Sequence, residues 1–425
     1  MRNPSVGISD ISLYLPKPRL DLDLLVRERA RVQPEVGDRL RKALATTGQR
    51  SFRFPQEWED TATFAAQSAK ELLVRNPRFD TRTLRYIAVG TESTLDHAKP
   101  VAAYVLGMLK KTAFPIPENL STFQTQHACA AGTLALISVC SQILASGRPD
   151  QAGIVISSDV SRYRTFSTAE ITQGAGAAAV LVESRPKLIE FDLSTVGHFS
   201  RDVDDFFRPL GQETAEVKGF YSIKCYHDAL HKAFLDHCAQ SGLSPEETLR
   251  LTDFFALHTP FRNMPEAGMV KLLSRYLHYD DETAREELKA RGLYDGINPV
   301  ANVGNIYTGS VLLSLAFLLA SRYRILGKAV VGKRILLFSY GSGNTMVALG
   351  GRIAQGAPEV IEGWNLEGLV SRFEETDLAA YSSWIARSKN GRDPHVQSPD
   401  SVPDDSFFLN AVRQDGYREY AYKKS

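Results

Sequence analysis

The sequence predicts an α/β fold with mainly buried sheets. Short apolar runs of strand length, bounded by Gly, Pro, Ser and Thr, alternate with longer runs of helical apolar spacing. Several of the strand-like runs are apolar on both faces, as in sheets covered by helices on each side. The same rhythm returns in the second half of the chain without a clean sequence repeat, which hints at a duplicated unit.

Taken in order, residues 6–15 read as a strand closed by Pro16 and Pro18. Residues 20–46 are helix-like but interrupted at Gln33-Pro34. Residues 58–73 are helical, with Ala62, Phe64, Ala65, Ala69, Leu72 and Leu73 on one side. A strand at 84–90 runs into Thr91-Glu92-Ser93-Thr94, and a helix follows at 100–109. The polar strand 121–126 gives way to a buried helix over 134–144. Buried strands follow at 153–159 and 173–182, the second so rich in Gly and Ala that it must pack close to other backbone. The second half reads as strand 188–196, helix 221–238, strand 253–258, helices 267–277 and 282–291, and a long apolar helix over 304–323. Strand 334–339 turns through Gly341-Ser342-Gly343-Asn344 into strand 345–349. From Gly356 onward Pro, Gly and charge break any long period. One helix is expected within 366–384, a loop at 397–405 and an edge strand at 417–422. The organisation expected is residues 1–187, 188–355 and a C-terminal extension, 356–425, that packs on the core or on a partner subunit.

Composition bounds the function. The 425 residues are 43% hydrophobic and 23% charged, an ordinary globular balance. A net charge of +1 gives no electrostatic support to a nucleic-acid or membrane-surface role. Cys129, Cys140, Cys225 and Cys238 show no metal-like spacing and are too few for a disulfide framework, so a reducing cytoplasm is expected. The N-terminus lacks a signal-peptide core, and the longest apolar stretch, 311–320, reads as too short to span a bilayer.

The central stretch is Gln126-His127-Ala128-Cys129-Ala130-Ala131-Gly132-Thr133. It places Cys129 at or near a helix N-terminus, where backbone N–H groups favour a thiolate. A buried structural cysteine is the alternative. Glu92, His258 and Asn305 share its setting, at a strand end or a helix start, where ligands bind in open α/β sheets. Together they suit acyl transfer, with Cys as nucleophile, Glu as base, His as polariser and Asn as donor. Each also has a structural reading: Glu92 and Asn305 as caps, His258 as a core histidine. Gly341-Ser342-Gly343 reads as a tight turn whose backbone N–H groups face a ligand.

In that order these segments resemble the hydroxymethylglutaryl-CoA synthases, a branch of the thiolase superfamily. Gly90-Thr91-Glu92-Ser93, Ala128-Cys129-Ala130-Ala131-Gly132, Ser158-Asp159-Val160, Gly174-Ala175-Gly176-Ala177, Tyr221-Ser222-Ile223-Lys224, His258-Thr259-Pro260-Phe261, Gly304-Asn305-Ile306-Tyr307 and Phe338-Ser339-Tyr340-Gly341-Ser342-Gly343 carry the resemblance. The match runs from about Val6 to about Gly350. Glu92 separates it from ketoacyl synthases, which share the Cys, His, Asn set. The resemblance implies a thiolase-like fold of two duplicated halves in α-β-α-β-α layers, of bacterial or archaeal type, and a homodimer. It implies that acetyl-CoA acylates Cys129, that Glu92 removes a methyl proton, and that the carbanion attacks acetoacetyl-CoA held by His258. Asn305, Tyr307, Gly341 and Ser342 would line the substrate site, with no metal or redox cofactor. Arg262 stands where the family carries a CoA-binding lysine, and Ala130 where better-known members carry an aromatic. Three rivals are a carrier-protein-dependent synthase of polyketide β-branching, a condensing enzyme that releases a β-keto product, and a non-catalytic acyl-CoA-binding subunit.

Overall fold

The computed structural model describes residues 5–388 and 399–424. Ten strands form one continuous ladder. The first-half strands lie in the order Ser121–Thr125, Leu84–Gly90, Ala152–Ser161, Gly174–Glu183, Gly7–Tyr14. Ile189–Phe191 joins Gly7–Tyr14 to Thr345–Ile353, beyond which lie Arg334–Gly341 and Phe254–Leu257. Gly197–Ser200 pairs with Thr345–Ile353 from the side. Both halves run parallel strands into an antiparallel return, three parallel strands in the first half and two in the second.

Side-chain alternation builds five layers from this ladder. Ile87, Val89, Ile154 and Ile156 point outward to helices Thr61–Arg75 and Val101–Leu109. Ala88, Val155 and Val180 point inward to two middle helices, Ala131–Ser146 and Ser310–Leu326. Phe254, Ala256, Ile335 and Leu337 meet those helices from the other side. Phe255, Leu257, Leu336 and Phe338 face the outer helices Gly219–Ser241 and Asn263–Leu277. The expected helix-sheet-helix-sheet-helix arrangement is present.

The middle helices correct one expectation. Residues 128–146 and 307–330 are long and apolar enough to cross a membrane by composition. Their apolarity has another cause, since each is covered by a sheet and by the other helix.

Three element boundaries also differ. The apolar run at 304–323 is helical only from Ser310. Gly304, at φ 85°, ends a short helix, and Tyr307–Gly309 forms a 3-10 turn first. The run 188–196 holds only a three-residue strand, because Asp192 caps a turn through Ser194. The expected helix within 366–384 is two, Leu366–Ser371 and Leu378–Ser388, with Glu374–Glu375 pairing beside Pro18–Asp21. Gln397 and Ser398 of the expected loop lie outside the described residues. The tail packs on the core of the same chain. Tyr381 and Trp384 enter a cluster with Phe52 and Phe54, and Phe407 packs over the first-half helices. The edge strand Arg418–Lys423 closes a hairpin with Ser406–Val412.

Candidate active site

Cys129 stands at the turn between strand Ser121–Thr125 and helix Ala131–Ser146, whose N-cap is Ala130. The turn holds Ala128 in the left-handed region, at φ 42°. The small flanking residues have a steric reason. A Cβ on Gly132 would meet Ser157 Oγ at 1.9 Å, so only glycine lets this helix start lie against the neighbouring strand. A Cβ on Gly341 would meet His127 O at 2.3 Å, so the Gly341-Ser342-Gly343 loop can sit directly beside the nucleophile segment.

Glu92 follows the adjacent strand, Leu84–Gly90, and is buried. The Cys129 thiol donates to Glu92 Oε1 at 3.0 Å. His258 follows strand Phe254–Leu257 in the other half. It is 1% exposed, and neither ring nitrogen has a hydrogen-bond partner. Leaving such groups unpaired costs about 1–3 kcal/mol each, so among the described residues both ring nitrogens are left with hydrogen-bonding capacity unused. Asn305 sits in the loop before the middle helix. Its Oδ1 accepts from the Tyr307 backbone N–H and the Ser310 hydroxyl, both at 2.9 Å. Asn305 therefore does not cap the long helix, whose N-cap is Gly309; its oxygen braces the turn at Tyr307–Gly309, and the residue lines the cavity.

Cys129, His258, Asn305, Tyr307 and Ser342 converge on one cavity of about 470 Å³. Its far end passes between Phe261, Phe220 and helix Pro34–Thr47, which contributes Arg39 and Lys42. Arg262 is elsewhere. Its guanidinium bonds to Glu266, Asn263 and Asn298 and faces the adjoining groove. The expectation that it serves the Cys129 cavity is therefore not met, because Glu266 one helical turn on captures its charge.

The electrostatics revise the thiolate expectation. Burial, then the Glu92 carboxylate, push the Cys129 thiol well above its ordinary value. At this position desolvation outweighs the helix N-terminus. Burial, then Asp159, push Glu92 up to about 8. Burial lowers His258 to about 3, so it is a neutral imidazole throughout the physiological range. The resting pair is a thiol beside a carboxyl group that exchanges its proton near neutrality.

Two residues without an assigned role in the sequence hold this geometry. Asp159 is fully buried and accepts six hydrogen bonds. Four come from Thr91, Glu92 and Ser93, and two from Thr308. It therefore ties the Glu92 loop of one half to the Asn305 loop of the other. Asp205 accepts from Gly343 N–H at 2.8 Å, Tyr340 OH at 2.7 Å and Ser222 Oγ at 3.1 Å, fixing the glycine loop. Asp159 belongs to the family-like segment Ser158-Asp159-Val160 at the end of a buried strand, and that placement is its only signal in the sequence.

The chain matches two family models. Residues 2–186 match hydroxymethylglutaryl-coenzyme A synthase N terminal, and residues 297–423 match hydroxymethylglutaryl-coenzyme A synthase C terminal. A solved structure described as MvaS in complex with 3-hydroxy-3-methylglutaryl coenzyme A is 30% identical, with a TM-score of 0.83 over 99% of this chain and 100% of that one. The chain belongs to the hydroxymethylglutaryl-CoA synthase family. Among its relatives, the hydroxymethylglutaryl-CoA synthase of Enterococcus faecalis is 28% identical over 90% of this chain and 92% of that one. The polyketide biosynthesis 3-hydroxy-3-methylglutaryl-ACP synthase PksG of Bacillus subtilis is 27% identical, over 67% of each. The C-terminal family model reaches residue 423, so the tail falls within the family's own extent.

Proposed function

We propose that this acyltransferase condenses acetyl-CoA with acetoacetyl-CoA to 3-hydroxy-3-methylglutaryl-CoA, the mevalonate-pathway reaction, through an acetyl-Cys129 intermediate. The observation that carries it is the 3.0 Å contact of Cys129 with Glu92, set at the end of a cavity shared with His258 and Asn305. Cys129 passes its proton to Glu92 and attacks the thioester. Backbone N–H groups at Cys129 and Ser342 hold the oxyanion, a type of contact worth several kcal/mol. The carbon–sulfur bond to CoA breaks, and CoA leaves as the thiol with the proton that Glu92 had accepted. Glu92, again a carboxylate, takes a proton from the acetyl methyl, so that the carbanion adds to the ketone. Neutral His258 donates an N–H to that ketone, with Asn305 beside it. Glu92 protonates the alkoxide, and water releases the product. The thioester and the ketone supply both electrophiles, so this reading calls for no metal or redox cofactor. Incubation with both thioesters, followed by mass analysis of protein and products, tests it.

His258→Ala should leave Cys129 acetylation intact while acetoacetyl-CoA use falls by about 10² or more, read as a raised KM with lowered kcat. An unchanged KM and kcat removes His258 from the site. Arg39 and Lys42 form no ion pair among the described residues, and the nearby Asp38 is taken by Arg41. They are the cations placed for CoA phosphates that Arg262 cannot serve. Arg39→Glu with Lys42→Glu should raise the acetyl-CoA KM about tenfold with little change in kcat, an effect that shrinks at high salt.

A carrier-protein donor is the second reading, favoured by one observation. The groove beside the cavity, of about 1110 Å³, shares Phe220 and Ile223 with it. Lys224, Lys271 and Arg275 line it, the last two touching only His227 and His231. Its carboxylates Glu266, Asp228 and Asp281 are paired with Arg262, Lys232 and Arg285. Faster acylation of Cys129 from an acetylated carrier protein than from acetyl-CoA would select this reading.

Strand Ser121–Thr125 ends the ladder with an unpaired outer edge, a template for a second copy of the chain. We assign the protein as a homodimer joined there, in a cytoplasm that keeps its four cysteines as thiols. Light scattering should give twice the chain mass; a monomer would overturn the assignment.

A further inference from the structure

The contact between Cys129 and Glu92 separates two cavities. Cys129 faces the substrate cavity. Glu92 lines a second one of about 420 Å³, and the two share no lining residue. This second cavity reaches the surface, since Leu210 on its wall is 85% exposed. Its wall is polar around Glu92, with Thr91, Ser93 and Gln126, which suits it to hold water. Its wall also carries two guanidinium groups with no carboxylate closer than 3.9 Å among the described residues, and one of them, Arg162, lies over the Trp384 ring. Arg162 Nη1 is buried without a hydrogen bond, its nearest carboxylate being Glu213 at 3.9 Å. Arg208 forms no ion pair among the described residues, and its charge favours the ionised form of Glu92.

The reaction proposed above creates a need for such a space. After condensation the acyl group bridges Cys129 and CoA, so the CoA moiety fills the substrate cavity from its mouth inward. The water that must still reach the Cys129 thioester has to arrive by another route. We infer that the cavity on the Glu92 side is the water port of the hydrolytic step, with Glu92, set between the port and the Cys129 thioester, as the group that takes the proton of the attacking water.

The step balances. Glu92 has just given its proton to the alkoxide and is ionised. The water oxygen bonds to the thioester carbon while one of its protons passes to Glu92. The carbon–sulfur bond breaks, and the Cys129 thiolate recovers that proton across the 3.0 Å contact. The carboxylic acid formed ionises, and its proton leaves through the port. A condensing enzyme that hands its acyl chain to a thiol needs no such opening, so the port would be part of what makes this chain a hydrolytic synthase.

The inference rests on the acetyl-Cys129 reading, and one experiment separates the two. The wild-type acetyl-enzyme is prepared with acetyl-CoA, desalted and exposed to hydroxylamine, a small nucleophile in place of water. Saturating desulfo-CoA, which lacks the thiol, then occupies the substrate cavity. Acetohydroxamate release should continue within about twofold of the rate without desulfo-CoA, whereas a fall of about tenfold or more overturns the port. Absence of any acetyl-enzyme removes the functional reading and the port with it.

Discussion

Cys129→Ala should yield a folded protein that carries no acetyl group after mixing with acetyl-CoA and makes no condensed product. The expected loss of turnover is on the order of 10⁴ or more, because every later step uses the thioester to this sulfur. Folding should survive. The substitution removes one sulfur from a site that already opens onto a cavity, and Ala accepts the position between Ala128 and Ala130. The loss cannot be attributed to a misplaced base, since Glu92 is held by its backbone N–H on Asp159 rather than by Cys129. Acetylation found on Cys140, Cys225 or Cys238 instead would overturn the assignment. Cys140 is the informative control. It lies on the same helix, fully buried in the middle layer, where burial alone pushes its thiol up with no carboxylate partner.

The contrast between these two cysteines shows what the sequence can disclose. Strand and helix alternation, the helix start after Cys129 and the strand ends before Glu92 and His258 were legible, because each depends on local periodicity and turn chemistry. The role of Asp159 was not. Its six hydrogen bonds come from residues at 91–93 and 308, and only the ladder that sets strand Ala152–Ser161 beside Leu84–Gly90 brings them together. The same holds for Arg262. A cation after a proline reads as a phosphate ligand until the helix places Glu266 one turn away. The expected helix start at Gly304 failed for a local reason: apolar spacing continues through Gly304-Asn305-Ile306, whereas the positive φ of Gly304 and the turn that Asn305 holds at Tyr307 delay the helix to Ser310. The thiolate expectation failed because a helix start favours charge only near solvent, and Cys129 is buried beside another acid.

Glu92→Gln is the sharper test, because it predicts a gain and a loss together. Gln keeps the shape and can still accept the Cys129 thiol hydrogen bond, so acetylation should persist at a reduced rate. It cannot carry a proton, so condensation should fall by about 10³. In the wild type the condensation rate should climb with pH about a midpoint near 8, where Glu92 ionises, and the residual rate of the variant should not. Stability should move the other way. The carboxyl is pushed up to about 8 in the folded protein but titrates at about 4.3 when unfolded. Between those values the folded state binds more protons than the unfolded state, so this group's contribution to stability is lost as pH rises through the window. Gln mimics the neutral acid and escapes that loss. The variant should therefore melt close to the wild type at pH 5 and about 3 °C or more above it at pH 9, read by calorimetry. Equal melting temperatures at pH 9 would mean that Glu92 ionises without cost, and that burial does not hold it as the acid. Two carboxyl groups buried together, as Glu92 and Asp159 are, cost stability when both ionise, so a melting temperature that falls with pH through Glu92's range is the physical consequence of their placement.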